Sequence, residues 1–414
     1  MTSLTWRPSL LGVWGALLCA GCPGEKGDTD GSSTADTMGS SPTDATASST
    51  SPTGSTGPAT TEPGTSTGPA TTESATTDDS TTADSTTADS TTVASTTTTS
   101  GGQVDCAVVE FPDAGLEFRI RELLQQPEGP LLGADVAAIE ELFPTLSTIA
   151  DLTGLECAAG LRIVNLVGQD VTDLGPLAGL QKLESINVGV TQVVDLGPLA
   201  GLPALQFLDV SSTAVADLGP LAGLGALEFL DISSTEVDSL GPLAGLSGLR
   251  QLVAQGTDIL DVEALAGLTG LVQLNIAETA VTDLGPLAGL TALEVLMVHH
   301  TDIADLAPLT GLPIRFFFAE NAMISDLTPV ASFPTPTTMI LSDNQIVDTD
   351  PLVASGWDVS DNPDQCLEVI LTGNPLSADA LAVALPAFCA ATGAWVWADG
   401  LMDCPGGSPC VIPP

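Results

Sequence analysis

Carboxylates are the most abundant reactive groups in this 414-residue chain. Asp and Glu number 52 against 8 Lys and Arg, for a formal net charge of −44. Asp173, Asp195, Asp217, Asp261, Asp283, Asp305, Asp326 and Asp348 recur about 22 residues apart, with one doubled interval between Asp217 and Asp261. Such a column could cap a series of turns, since an Asp oxygen accepts from the free backbone N–H groups where a helix begins. As a like-charge array it could instead gather calcium; capping is the expected role. The 2 histidines are adjacent, at His299 and His300. With Glu278 and Glu320 they make an imidazole–carboxylate set of the kind that holds zinc. No metal site is expected there, because solvent-facing strand residues seldom converge closely enough. A nucleophile elbow, a phosphate-cradling loop, a His-Glu-x-x-His helix and a paired-carboxylate cleft are all missing from the sequence, so no enzyme and no cofactor is expected. The acidic balance repels nucleic acid and anionic headgroups, and a charged partner should be cationic or calcium-bridged.

What positions these residues is a repeat. Leu-Gly-Pro-Leu-Ala-Gly-Leu begins at Leu174, Leu196, Leu218, Leu240 and Leu284, with degenerate copies at Val262 and Leu306. The starts lie about 22 residues apart, a period that points to a leucine-rich repeat solenoid. In the coil from Leu202 to Gly223, apolar residues alternate around Leu208 and Val210, the signature of a short strand with one buried face. After Asp217 they fall at Leu218, Leu221 and Leu224, a spacing of three that suits 3₁₀ turns. Pro220, Gly219 and Gly223 discourage anything longer. The expected fold class is an α/β-type solenoid: a right-handed superhelix with a parallel β-sheet on its concave face and short 3₁₀ or irregular turns on its convex face. Thr191, Thr213, Thr235, Thr257, Thr279 and Thr301 recur once per coil just after the strand, where a hydroxyl can bond turn backbone.

Residues flanking the buried strand positions should line the concave face, and two patches stand out. Phe207 and Phe229 flank Asp209 and Asp231; further along, Met297, His299, His300, Phe316 and Phe318 gather. Aromatics on a strand face often mark interaction surfaces. They could equally shield the sheet, or adjust packing around the shortened coil from Pro308 to Pro329.

The coil pattern Leu-x-x-Leu-x-x-Leu-x-Val-x-x-Thr-x-Val-x-Asp-Leu-x-Pro-Leu resembles the bacterial internalin-type leucine-rich repeats. That family usually carries Asn where six coils here carry Thr. Met339-Ile340-Leu341-Ser342-Asp343-Asn344-Gln345-Ile346 and Val369-Ile370-Leu371-Thr372-Gly373-Asn374-Pro375-Leu376 match its pattern directly. Phe111-Pro112-Asp113, Leu116, Ile120-Arg121-Glu122, Pro130 and Ala134-Asp135-Val136 look like the family's helical N-terminal cap. The resemblance spans roughly residues 106–390 and implies ligand binding without naming a ligand.

Cysteines number 8. Setting aside Cys19 and Cys22 leaves Cys106, Cys157, Cys366, Cys389, Cys404 and Cys410, an even set suited to disulfides in an exported protein. Sequence leaves their pairing open. The local choice is Cys106–Cys157 and Cys366–Cys389 at the two ends of the repeats, with Cys404–Cys410 in the tail.

Residues 1–22 read as a secretion signal, with Arg7, an apolar stretch from Leu10 to Leu18 and Ala20-Gly21-Cys22. Leu18-Cys19-Ala20-Gly21-Cys22 resembles a bacterial lipobox, which makes Cys22 the lipidated residue; ordinary cleavage with Cys22 in a disulfide is the competing reading. Pro23 after it resembles lipoproteins sent to the outer membrane, at its surface or periplasmic face. Residues 23–104 are rich in Ser, Thr, Gly, Pro and Asp and should form a disordered stalk, reaching on the order of 50 Å as a flexible coil. The expected domains are completed by a cap at 105–150, repeats at 151–376 and a C-terminal cap and Cys-containing tail at 377–414. The sequence thus predicts a monomeric envelope lipoprotein, held to its membrane by lipid alone, that binds a protein or glycan. A ligandless envelope spacer and a calcium-stabilised scaffold are the alternatives.

Overall fold

Gly and Pro within each Leu-Gly-Pro-Leu-Ala-Gly-Leu segment stop the chain after a single tight turn, and the spaced leucines must then be covered by the next coil. The computed structural model describes residues 106–144, 147–358 and 367–400. In it, 3₁₀ turns at Gly175–Leu177, Gly197–Leu199, Gly219–Leu221, Gly241–Gly245, Glu263–Leu265, Gly285–Gly289, Ala307–Leu309 and Pro329–Ser332 alternate with strands.

Among the described residues, twelve strands form one sheet in sequence order. They are β3 (Glu141–Leu142), β4 (Ile163–Asn165), β5 (Ser185–Asn187), β6 (Phe207–Asp209), β7 (Phe229–Asp231), β8 (Gln251–Val253), β9 (Gln273–Asn275), β10 (Val295–Met297), β11 (Phe316–Phe318), β12 (Thr338–Ile340), β13 (Glu368–Ile370) and β14 (Trp395–Trp397). Every neighbouring pair is parallel, and equivalent positions of adjacent coils face one another; Phe207 meets Phe229 and Asp209 meets Asp231. The coil beginning at Leu202 buries Leu202, Leu205, Leu208, Val210, Val215, Leu218 and Leu221 to 1% exposure or less. No single coil could do this, so the stack is the unit that folds.

Three ladders of polar contacts hold the register. Each of the eight spaced Asp residues accepts, through Oδ1, the backbone N–H two residues on, at 2.7 to 3.1 Å. The column therefore ties down the entrance of each convex turn. All six Thr hydroxyls are buried and donate to the backbone carbonyl three residues earlier, at 2.6 to 2.7 Å. The third ladder is conformational. The residue before each Thr-column position is left-handed in every coil, at Gly168, Val190, Ser212, Ser234, Gly256, Glu278, His300, Asn321, Asp343 and Gly373.

Asn344 and Asn374 do what Thr cannot. Asn344 Nδ2 donates to Leu341 O in its own coil and to Ala319 O in the preceding one, while its Oδ1 accepts from Ile324 N–H. Asn374 likewise reaches Leu341 O and Ile346 N–H. These amides staple adjacent coils, whereas each Thr bonds within its own turn.

Both ends are closed. The antiparallel pair β1 (Val108–Val109) and β2 (Leu131–Leu132), with helices α1 (Ala114–Leu124) between them and α2 (Gly133–Val136) after them, covers the first coil. Asp113 caps α1 by accepting from Leu116 N–H, and its other oxygen accepts from Ala150 and Asp151. These backbone bonds hold its carboxyl below the ordinary value although burial pushes the other way as the largest single influence. The Cys106–Cys157 bridge forms, with Cα atoms 5.6 Å apart. Cys389 is disulfide-bonded too, whereas Cys22, Cys366, Cys404 and Cys410 lie outside the described residues. At the far end are α3 (Asp350–Ala354) and α4 (Leu385–Thr392), where Phe388 is fully buried edge-on to Trp357. The sheet runs past the repeats at both ends, since β3 and β14 each add a rung.

Candidate functional site

Parallel register turns a spacing of 22 residues into a contact. Phe207 and Phe229 open β6 and β7, and their rings stack face to face, centroids 4.4 Å apart and planes within 3°. The next rung on one side carries Ser185, whose small side chain lines up with Phe207. Asp209 and Asp231 close the same strands on the same face. Asp209 accepts from Asn187 Nδ2 at 2.9 Å and from Ser211; Asp231 accepts from the Ser233 hydroxyl and N–H. Burial pushes the Asp231 carboxyl above its usual value and the neighbouring Asp209 charge adds to this, against the bonds from Ser233. Stacked ring faces beside partly desolvated carboxylates suit a Lys or Arg side chain, through cation–π and ionic contact together.

The second patch lies three rungs on, about 14 Å away at the usual strand spacing. Phe316 and Phe318 open and close β11, opposite Val295 and Met297 of β10, while Phe317 between them points into the core, fully buried. The rungs separating the patches present Gln251, Val253, Gln273 and Asn275, all buried. The two patches therefore share a face without merging. On this face Phe207, Phe229, Phe316, Phe318 and Met297 are half-buried rather than fully exposed. Side chains stacked one rung apart cover each other's flanks, so only their tips and edges reach solvent.

His299 and His300 follow β10. His299 is half-buried and His300 exposed, and their rings meet edge to face at 5.5 Å. Strand alternation would send consecutive side chains to opposite faces, but the left-handed backbone at His300 (φ 56°) breaks the alternation. Glu278, one coil earlier at the position equivalent to His300, joins them: one donor atom from each of Glu278, His299 and His300 lies within 4.8 Å of the others. Glu320 acts on His299 electrostatically but is not one of the three. Burial is the main influence lowering the His299 pKa, helped by the charge of His300 and opposed by Glu278 and Glu320. Beside this cluster opens a groove of about 680 Å³ lined by Glu278, His300, Asp302, Asn321 and Met323, among others.

Sequence reasoning missed the buttress behind Glu278. Gln255 Nε2 donates to Glu278 Oε1 at 2.9 Å, and Asn275 Nδ2 donates to Gln255 Oε1 at 3.2 Å. It also missed the left-handed column, although Gly168, Gly256 and Gly373, with Asn321 and Asp343, mark that position in the repeat.

No family model and no curated protein matches the chain. Solved structures do. An internalin from Listeria monocytogenes superposes with a TM-score of 0.62 at 25% identity, over 71% of this chain and 92% of that one. The fold is an internalin-type leucine-rich repeat solenoid. A leucine-rich repeat protein of Leptospira interrogans aligns at 15% identity and TM-score 0.55, over 63% of this chain and 73% of its own. The ectodomain of an Arabidopsis thaliana receptor kinase, solved in complex with Casparian strip integrity factor 2, aligns at 14% and 0.50, over 63% and 35%. Those two speak to fold alone. Among the described residues no helix is long and apolar enough to cross a membrane.

Proposed function

We propose that the protein is a non-enzymatic, exported lipoprotein of the bacterial outer membrane, anchored through Cys22, whose solenoid recognises a macromolecular partner on its concave face. The observation that carries this reading is the Phe207–Phe229 stack set beside Asp209 and Asp231. A core-filling role does not require stacked rings at a half-open surface, and a patch of this kind fits a protein segment bearing Lys or Arg. The net charge of −44 favours the same class of partner by long-range attraction. A glycan stacking on the rings is the other ligand consistent with the face.

The test is affinity capture from envelope extracts and neighbouring cells, using the full chain and a variant carrying Phe207→Gln and Phe229→Gln. Gln occupies the same column in β8 and β9, so the variant should keep its fold. A species retained by the wild type, released by raised salt and lost from the variant supports the reading. Identical retention by both chains refutes the site. Anchoring is tested separately by fatty-acid labelling of the cells, which Cys22→Ser should abolish.

A further inference from the structure

We propose that Glu278, His299 and His300 form a three-ligand site for a divalent transition-metal ion of the Zn²⁺ type, on the edge of the solenoid beside the groove. The proposal stands apart from the concave-face reading, which needs no metal.

Four observations converge. The chain has 2 histidines in 414 residues, and both are in the cluster. The donor atoms already lie within 4.8 Å of one another. A tetrahedral zinc site with bonds near 2.0–2.1 Å wants them about 3.3 Å apart, so each atom must move inward by about 0.8 Å. Side chains that are exposed or half-buried make that adjustment by small torsional changes. The carboxylate is also held from behind: Gln255 engages Glu278 Oε1 and is itself held by Asn275, which leaves Oε2 for an ion. Outer-shell bonds of this kind orient metal ligands. Finally, Glu278 and His300 sit at left-handed positions (φ 56° each), where other coils place Gly, Ser, Asn, Asp and, once, Val. Long side chains in that conformation are strained, and such strain collects at functional positions.

The geometry explains how a strand-based ladder can converge at all. Glu278 and His300 are equivalent positions of adjacent coils, and Glu278 N–H donates to His299 O across the rungs. The left-handed turn then folds His299 and His300 together. Two imidazoles with one carboxylate suit zinc, copper or nickel; calcium and magnesium prefer all-oxygen sites. Three protein ligands leave a coordination position for water or for a donor from a bound molecule. Asp302 and Glu320 nearby add negative charge that favours a cation.

The experiment titrates the full-length protein with Zn²⁺ by calorimetry, with Ca²⁺ and Mg²⁺ in large excess to occupy weak carboxylate sites. Bound Co²⁺ is read in parallel by its visible absorption. The variants are Glu278→Gln, His299→Ala and His300→Asn; Asn already takes the equivalent left-handed position at Asn321, so His300→Asn should leave the fold intact. One equivalent of Zn²⁺, weakened at least tenfold in each variant, is the expected result, together with a Co²⁺ spectrum that the double variant His299→Ala, His300→Asn loses. Absence of stoichiometric binding, or binding by the double variant equal to that of the wild type, overturns the proposal. The second outcome would place any bound zinc on other groups.

Discussion

Replacing Asn344 with Thr, the residue that six coils carry at this position, should destabilise the distal coils by about 3 kcal/mol. Asn344 Oδ1 accepts from Ile324 N–H at 3.0 Å, and its Nδ2 donates to Ala319 O at 2.7 Å and Leu341 O at 3.1 Å. Thr keeps one of these, the bond within its own turn. The carbonyl bond across the coils has a net value of about 1 kcal/mol, and stranding a buried N–H costs about 1–3 kcal/mol. Ile324 is fully buried, so water cannot replace the lost partner. Its own coil offers no help, because Ala322 stands at the Thr position and has no hydroxyl. The assay is urea unfolding at fixed slope, combined with hydrogen exchange at the Ile324 amide, which should accelerate about 100-fold for a loss of this size. A midpoint shift equivalent to less than about 0.5 kcal/mol, with exchange at Ile324 unchanged, would refute the view that asparagine staples join these coils.

Further outcomes follow from single features. Removing the Cys106–Cys157 bridge by a double Ser substitution frees a span of 51 residues and should cost about 4 kcal/mol on chain-entropy grounds, read as a lowered urea midpoint; an unchanged midpoint counts against the bridge. Val190 is β-branched at φ 56° and exposed, so Val190→Gly should raise stability by about 1 kcal/mol, the left-handed penalty less the added unfolded-state entropy. A loss of stability there would contradict the strained turn. Asp231 has a folded-state pKa above its unfolded value of 3.8, so the folded state holds its proton more tightly and this group's contribution falls as pH rises through that window. Asp231→Asn should therefore raise the melting temperature at neutral pH, with the gain shrinking below pH 3.8; a pH-independent difference would show that charge is not the cause.

Much of this fold is legible because one rule repeats. Leu174, Leu196, Leu218 and their successors share a spacing, and parallel stacking converts equal spacing into neighbours. Phe207 and Phe229 could be paired from sequence for that reason. Their stacking and half-burial could not, because ring orientation depends on what each rung leaves open, here Ser185 on one side. The Asp column was readable as a tie to the turn that follows, but not as it forms: Asp173 stands one residue ahead of the cap residue Leu174, and its Oδ1 accepts the Gly175 N–H two residues on. His299 and His300 could be grouped with Glu278 from sequence, but their close convergence was not expected, for a different reason. Alternation along a strand separates neighbours, and only the sign of φ at His300 reverses that outcome. The Gln255–Asn275 support of Glu278 needs side-chain rotamers, which spacing alone does not encode.

The most direct measurement is the affinity of a captured partner for the full chain, compared with two variants that differ in the face they alter. Phe207→Gln with Phe229→Gln changes the concave side, and Ala200→Glu with Ala222→Glu changes exposed positions beside the 3₁₀ turns. Surface plasmon resonance should show at least a tenfold weakening for the first pair and none for the second, with both melting close to the wild type. Equal affinity for the Phe variant and the wild type, or a loss confined to the Ala variant, would contradict recognition through the concave sheet.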